Sequence, residues 1–363
     1  MKHLFSLVFL TVSLNLFSQT TPHIDSNGCV VCDMLSVADT FSLNGATYTV
    51  VDRPLLNTMR NNYSDLSKVC VSLVSDMSGL FRSKLQFNQN IGSWDVSNVT
   101  NMNNMFEEAS NFNQPIGGWN VSSVTQMYRM FLKATAFNQD IGNWNVSNVK
   151  TMQGMFNNAS FFDKDIGDWN TSSVTSMNSL FNSTNFNQNI GHWNTSAVTD
   201  MWNMFLNATE FNQDISEWNT SSVTTMENMF KGAKSFNQDI NMWDVSNVSH
   251  MHYMFYGATS FSKDISDWNI SSAIHLTGIF HGTTSLSDTN KAYIQAAFSK
   301  NPNWSTDWSS FIGNAPLNDA NFQTAVNKWF DNEVNATVTY GHISDWNVSG
   351  VTDMTEAFFG RTN

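Results

Sequence analysis

Charge is scarce in this chain. Only 13% of its 363 residues are Asp, Glu, Lys or Arg, about half the usual share. The few charges are mostly acidic, 30 against 17 basic, for a net charge of −13. No stripe of Lys and Arg exists to neutralise a phosphate backbone, which excludes nucleic acid as a natural ligand. The same lack excludes electrostatic attachment to anionic lipid. Long apolar runs are also missing after the first residues, so no membrane-spanning segment is expected in the mature chain. There are three cysteines, Cys29, Cys32 and Cys70. No second pair follows "CVVC" at metal-site spacing, and no βαβ context supports a redox reading, so a disulfide between two of the three is the expectation. No Ser-His-Asp set, phosphate loop or nucleotide fingerprint is visible, and an enzyme is not expected.

What is present begins with "MKHLFSLVFLTVSLNLFSQTTP". Lys2 precedes an apolar run from Leu4 to Phe17, with Ser18 as a small residue for cleavage. This has the form of a secretory signal peptide over 1–18. The mature protein is therefore expected to be secreted and extracellular, where disulfides persist. No cysteine follows the run closely, which argues against a lipoprotein.

A period then dominates. Trp94, Trp119, Trp144, Trp169, Trp193, Trp218, Trp243 and Trp268 recur at intervals of 25 residues, with one of 24. In the unit beginning at Val99, Met102, Met105, Phe106 and Ala109 join that valine at helical spacing. Ser97 is placed to cap such a helix. "FNQPI" from Phe112 alternates and is too short for a helix, so it reads as a strand. One unit cannot bury its Met-Met-Phe stripe alone, whereas stacked units can. The expected fold is an α/β repeat solenoid, leucine-rich-repeat-like, with one short helix and one short parallel strand per coil of about 25 residues. Methionine suits the irregular gaps between such layers.

The segment "FNQDIGNWNVSNVKTMQGMFNNA" resembles the repeat of BspA-like leucine-rich-repeat surface proteins of bacteria, also described as a mycoplasma lipoprotein-associated repeat. The resemblance covers 71–288. It implies an exported surface protein, often an adhesin or one of uncharacterised role, and it carries no catalytic residues with it.

The ends break the period. Residues 19–70 read as an N-terminal cap, with a hairpin around Asn44-Gly45 and a helix opened by Asp52 and Pro54. Residues 289–341 read as a helical cap or linker. "GHISDWNVSGVTDMTEAFFG" then restarts the repeat over 342–363 as the start of a second, truncated array.

Three columns could carry chemistry. The indoles could stack on sugar rings, but a row of eight exposed ones would make a large apolar patch, so a core position is favoured. His250 and His275 share a column and could share a metal ion, but His252 is expected on the opposite side of its helix, and no nearby carboxylate pair completes a set. The column otherwise holds Asn101, Gln126, Thr151, Ser176, Asp200 and Thr225, an ordinary wet face, so no metal site is expected there. In "FNQDI" the Asn and Asp are expected to point outward. Carboxylates on neighbouring strands, roughly 5 Å apart, repel by about 1 kcal/mol in water. Structure alone would not select that, so Asp140, Asp165, Asp214, Asp239 and Asp264 are candidate ligands for calcium or a cationic partner, against a plain turn role. No other cofactor is expected. The functional expectation is an adhesin or interaction module for an extracellular protein or glycan. The alternative is a structural spacer presenting a binding domain located beyond the end of this chain.

Overall fold

The computed structural model describes residues 21–313 and 317–361, so the expected signal peptide lies outside the described residues. Short elements open the chain. Strands β1 (His23–Ile24) and β2 (Val30–Val31) pair antiparallel. Strands β3 (Thr40–Leu43) and β4 (Ala46–Val50) form a hairpin with Leu43 opposite Ala46. Asn44 and Gly45 turn it with φ of 50° and 78°, the left-handed pair that a two-residue hairpin requires. Asp52 then accepts a hydrogen bond from the Leu55 N–H and starts helix α1 (Arg53–Asn61). Strand β5 (Val69–Cys70) runs parallel to β4. Cys32 and Cys70 form a disulfide, and Cys29 is free and buried.

The repeats follow, and here the expected helix is absent. Among the described residues no helix occurs between β5 and α2 (Asp288–Phe298). The segment from Met102 to Ala109 is instead a chain of tight turns. Met105, Glu107 and Ala109 donate to the carbonyls three residues back. Met102, Asn104, Phe106 and Glu108 donate to Gln126, Tyr128, Met130 and Leu132 of the next repeat at 2.7–2.9 Å. Asn104 and Glu108 have φ of 59° and 61°, which no right-handed helix admits. The pattern recurs at Arg129 and Lys133, at Gly154 and Asn158, and onward to Gly278 and Gly282. Successive turns still place Met, Met, Phe and Ala on one side, which is why the spacing resembles a helix. Ser97 does not cap one: its own N–H donates to the Asp95 carboxylate.

The expected strand is corrected too. "FNQDI" carries no backbone ladder, and among the described residues the repeats pair in parallel through one bridge each, at Asp76, Asn101, Gln126, Thr151, Ser176, Asp200, Thr225, His250 and His275. The core is continuous from the cap through the repeats. Phe106 lies 3.9 Å from Phe112 and 5.5 Å from Phe131, centre to centre.

Both ends of the array are closed by side chains that imitate a missing neighbour. At the start, Arg53 donates to the Asp76 and Ser78 carbonyls at 2.7 and 2.6 Å, and Arg60 donates to Leu80. At the finish, Asn301 donates to Ile270 and Ala273, and Trp304 and Trp308 pack on Phe280. Helices α3 (Phe322–Asp331) and α4 (Glu333–Tyr340) follow α2. α3 shares a small separate core with Leu317 and Ala357, in the stretch where the repeat pattern restarts. Among the described residues no helix is long and apolar enough to cross a membrane.

Candidate interaction surface

The indole column is core. Trp119 to Trp268 are 3–4% exposed, and each indole N–H donates to an isoleucine carbonyl of the preceding repeat, as Trp144 does to Ile116 at 3.1 Å. These rings cannot lie against a sugar.

The Asn of "FNQDI" does not point outward as expected. It is half-buried and builds a side-chain ladder. The Asn113 oxygen accepts the Asn138 N–H at 2.9 Å and the Gln139 amide at 2.8 Å. The backbone bond recurs from Asn88 to Ser262, with Asp163 taking the asparagine role toward Asn187 and Gln188. The strand-like segment is thus zipped by side-chain oxygens that accept the next repeat's backbone N–H, in place of a backbone ladder.

The candidate Asp residues do point outward, with Asp264 half-buried and the other four exposed. Each accepts the N–H two residues on: Asp140 from Gly142, Asp165 from Gly167, Asp214 from Ser216, Asp239 from Asn241 and Asp264 from Ser266, at 2.9–3.1 Å. The backbone N–H of Ser216, then its hydroxyl, hold Asp214 below the usual carboxylate range. Asn90 and Asn189 make the same turn without charge. The geometry accounts for an Asp or an Asn here equally.

Exposed aromatics that sequence reasoning missed lie on the turns of the late repeats: Tyr253 and Tyr256, whose rings are 5.7 Å apart, and, two repeats earlier, Trp202. Trp202, Tyr253 and Tyr256 are 43%, 36% and 37% exposed. Lys231 sits over both tyrosine rings at 5.0 and 5.4 Å, and His281 stacks on Tyr256 at 4.9 Å. The signal was available: Trp202 and His252 break a column that otherwise holds Asn103, Tyr128, Gln153, Asn178, Glu227 and Thr277. The structure also corrects His252. With no helix to carry it away, its ring lies 5.0 Å from His275, and His250 lies 4.7 Å from His275.

A chain of near-identical units bonded one to the next is a repeat protein. The family profile described as "Mycoplasma protein of unknown function, DUF285" matches residues 53–160, 138–215, 182–293 and 324–363, and the chain belongs to that family. No curated protein and no solved structure matches it.

Proposed function

We propose that the repeats form one leucine-rich-repeat-like solenoid of the BspA-like kind, and that the protein is exported and acts as an adhesin for an extracellular protein or glycan. The proposed role involves binding without catalysis. The period supports the frame: its apolar columns, amide ladder and turn bonds are all consumed in holding repeats together. A binding face is then sought where the period is broken, and the observation that carries the reading is the exposed group of Trp202, Tyr253 and Tyr256. Large rings with polar edges, held on a rigid frame, make strong contacts at low entropic cost. Trp202 shares its column with His252, two repeats on and next to Tyr253, so at about 4.8 Å per repeat their backbone positions lie roughly 10 Å apart, a span that suits two sugar rings or a short peptide.

The test is a glycan and matrix-protein array probed with the purified chain and with a Trp202→Ala/Tyr253→Ala/Tyr256→Ala variant. The variant is expected to melt as the parent does and to lose at least about tenfold in binding to the partners the parent retains. Undiminished binding would defeat this assignment of the face. No binding by the parent would favour the spacer.

A further inference from the structure

We infer that His250, His252 and His275 form a binding site for one divalent transition-metal ion of the zinc class. The three imidazoles come from two adjacent repeats and meet on the turn face. Their ring centres are 4.7 Å apart for His250 and His275, 5.0 Å for His252 and His275, and 6.3 Å for His250 and His252. Zinc takes imidazole nitrogens at about 2.0–2.1 Å in tetrahedral geometry, which sets two ligating ring centres roughly 5 Å apart. Two of the three separations already match. The third closes by about 1 Å when the ion is held tetrahedrally.

The surroundings are those of a ligand set. Ser249 Oγ lies 2.7 Å from His250 Nδ1, which orients that ring and leaves Nε2 free, as outer partners do for ligating histidines. Glu227 Oε2 lies 3.4 Å from His252 Nε2 and is placed either to orient that ring or to supply a fourth donor. The backbone beneath is fixed: Met226 donates to the His250 carbonyl and Met251 to the His275 carbonyl, each at 2.9 Å. As the side chains stand, no group of three or more His, Cys, Asp or Glu among the described residues could hold a metal ion. His275 is exposed and His252 half-buried, and binding requires these two rings to turn to other staggered positions. Imidazole donors select zinc, copper or nickel over calcium and magnesium, which require oxygen. The column explains why one site forms: other repeats carry Asn, Gln, Thr, Ser or Asp where His250 and His275 stand.

This site is independent of the adhesive reading, because an ion titration with no partner present reads it. The full chain, free of any polyhistidine tag and stripped with chelator, is titrated with cobalt and then with competing zinc. One cobalt per chain is expected, with the intense visible bands of a tetrahedral site that zinc removes. His252→Gln and His275→Gln, both on the surface, should each weaken binding by about tenfold or more, with unchanged melting of the metal-free protein. His281→Gln, on the neighbouring turn, should bind as the parent does. Absence of a one-to-one complex, or an unaltered complex in both His252→Gln and His275→Gln, overturns the site.

Discussion

Replacing Asn113 by alanine tests the amide ladder where its chemistry is simplest. The Asn113 oxygen accepts two bonds from the next repeat, the Asn138 N–H at 2.9 Å and the Gln139 amide at 2.8 Å. Each such bond contributes about 0.5–1.5 kcal/mol net, and a donor left without a partner costs more than a bond that is simply absent. The site is half-buried, so water relieves part of that penalty. The expected loss is about 2–3 kcal/mol. Asn113→Asp provides the control, because Asp163 already performs this task and accepts from Asn187 and Gln188, each at 2.9 Å. It should cost less than about 1 kcal/mol. Urea unfolding followed by tryptophan emission measures both. An Asn113→Ala variant as stable as the parent, or an aspartate variant as damaged as the alanine one, would refute the ladder.

Phe156→Ala should cost about 3–5 kcal/mol, since the ring is fully buried in a packed column, whereas Asn157→Ala should cost almost nothing; equal losses in urea titrations would contradict the assigned face. Arg53→Ala removes two bonds to the carbonyls of the first repeat and should destabilise the protein by about 1–3 kcal/mol, with the earliest hydrogen exchange appearing in the first repeat rather than the last. Asp214 is held below its ordinary value of 3.8 by Ser216, so its contribution is present above that pH and is lost as pH falls through the lower folded value. Asp214→Asn should flatten that part of the acid-unfolding curve, and an unchanged curve would remove Ser216 from the account. A calcium-dependent shift in melting temperature that vanishes in Asp214→Asn/Asp239→Asn would instead promote the Asp column from turn former to ligand.

Much of the frame was legible because burial follows a period. The Trp, Met, Phe and Ile columns are hydrophobic in every repeat, and all are buried but Phe87 at the start of the array, which is half-buried. The local conformation was not legible from that period, since a run of tight turns and a helix both return an apolar residue every three to four positions. The discriminating mark lay elsewhere in the repeat. Positions 104 and 108 and their equivalents hold Asn, Gly or Ser in most repeats, and Asn and Gly are the residues that best tolerate left-handed backbone. The strand reading of "FNQDI" failed for a related reason. Alternation places Phe and Ile inward whether the neighbours are joined by backbone bonds or by asparagine side chains. His252 was misplaced only as a consequence of the helix. The exposed rings at Trp202 and Tyr253 were visible as breaks in polar columns, but the meeting of Tyr253, Tyr256, Lys231 and His281 depends on which repeats stack, which the turn bonds decide.

Scalar coupling across hydrogen bonds, measured by NMR on the deuterated protein, tests the construction of the repeats most directly. The Phe106 amide should couple to the carbonyl of Met130 in the next repeat, to which it donates at 2.8 Å. The Asn104 and Glu108 amides should couple to Tyr128 and Leu132. Coupling of Phe106 to Met102, four residues back as in an α-helix, would contradict the account.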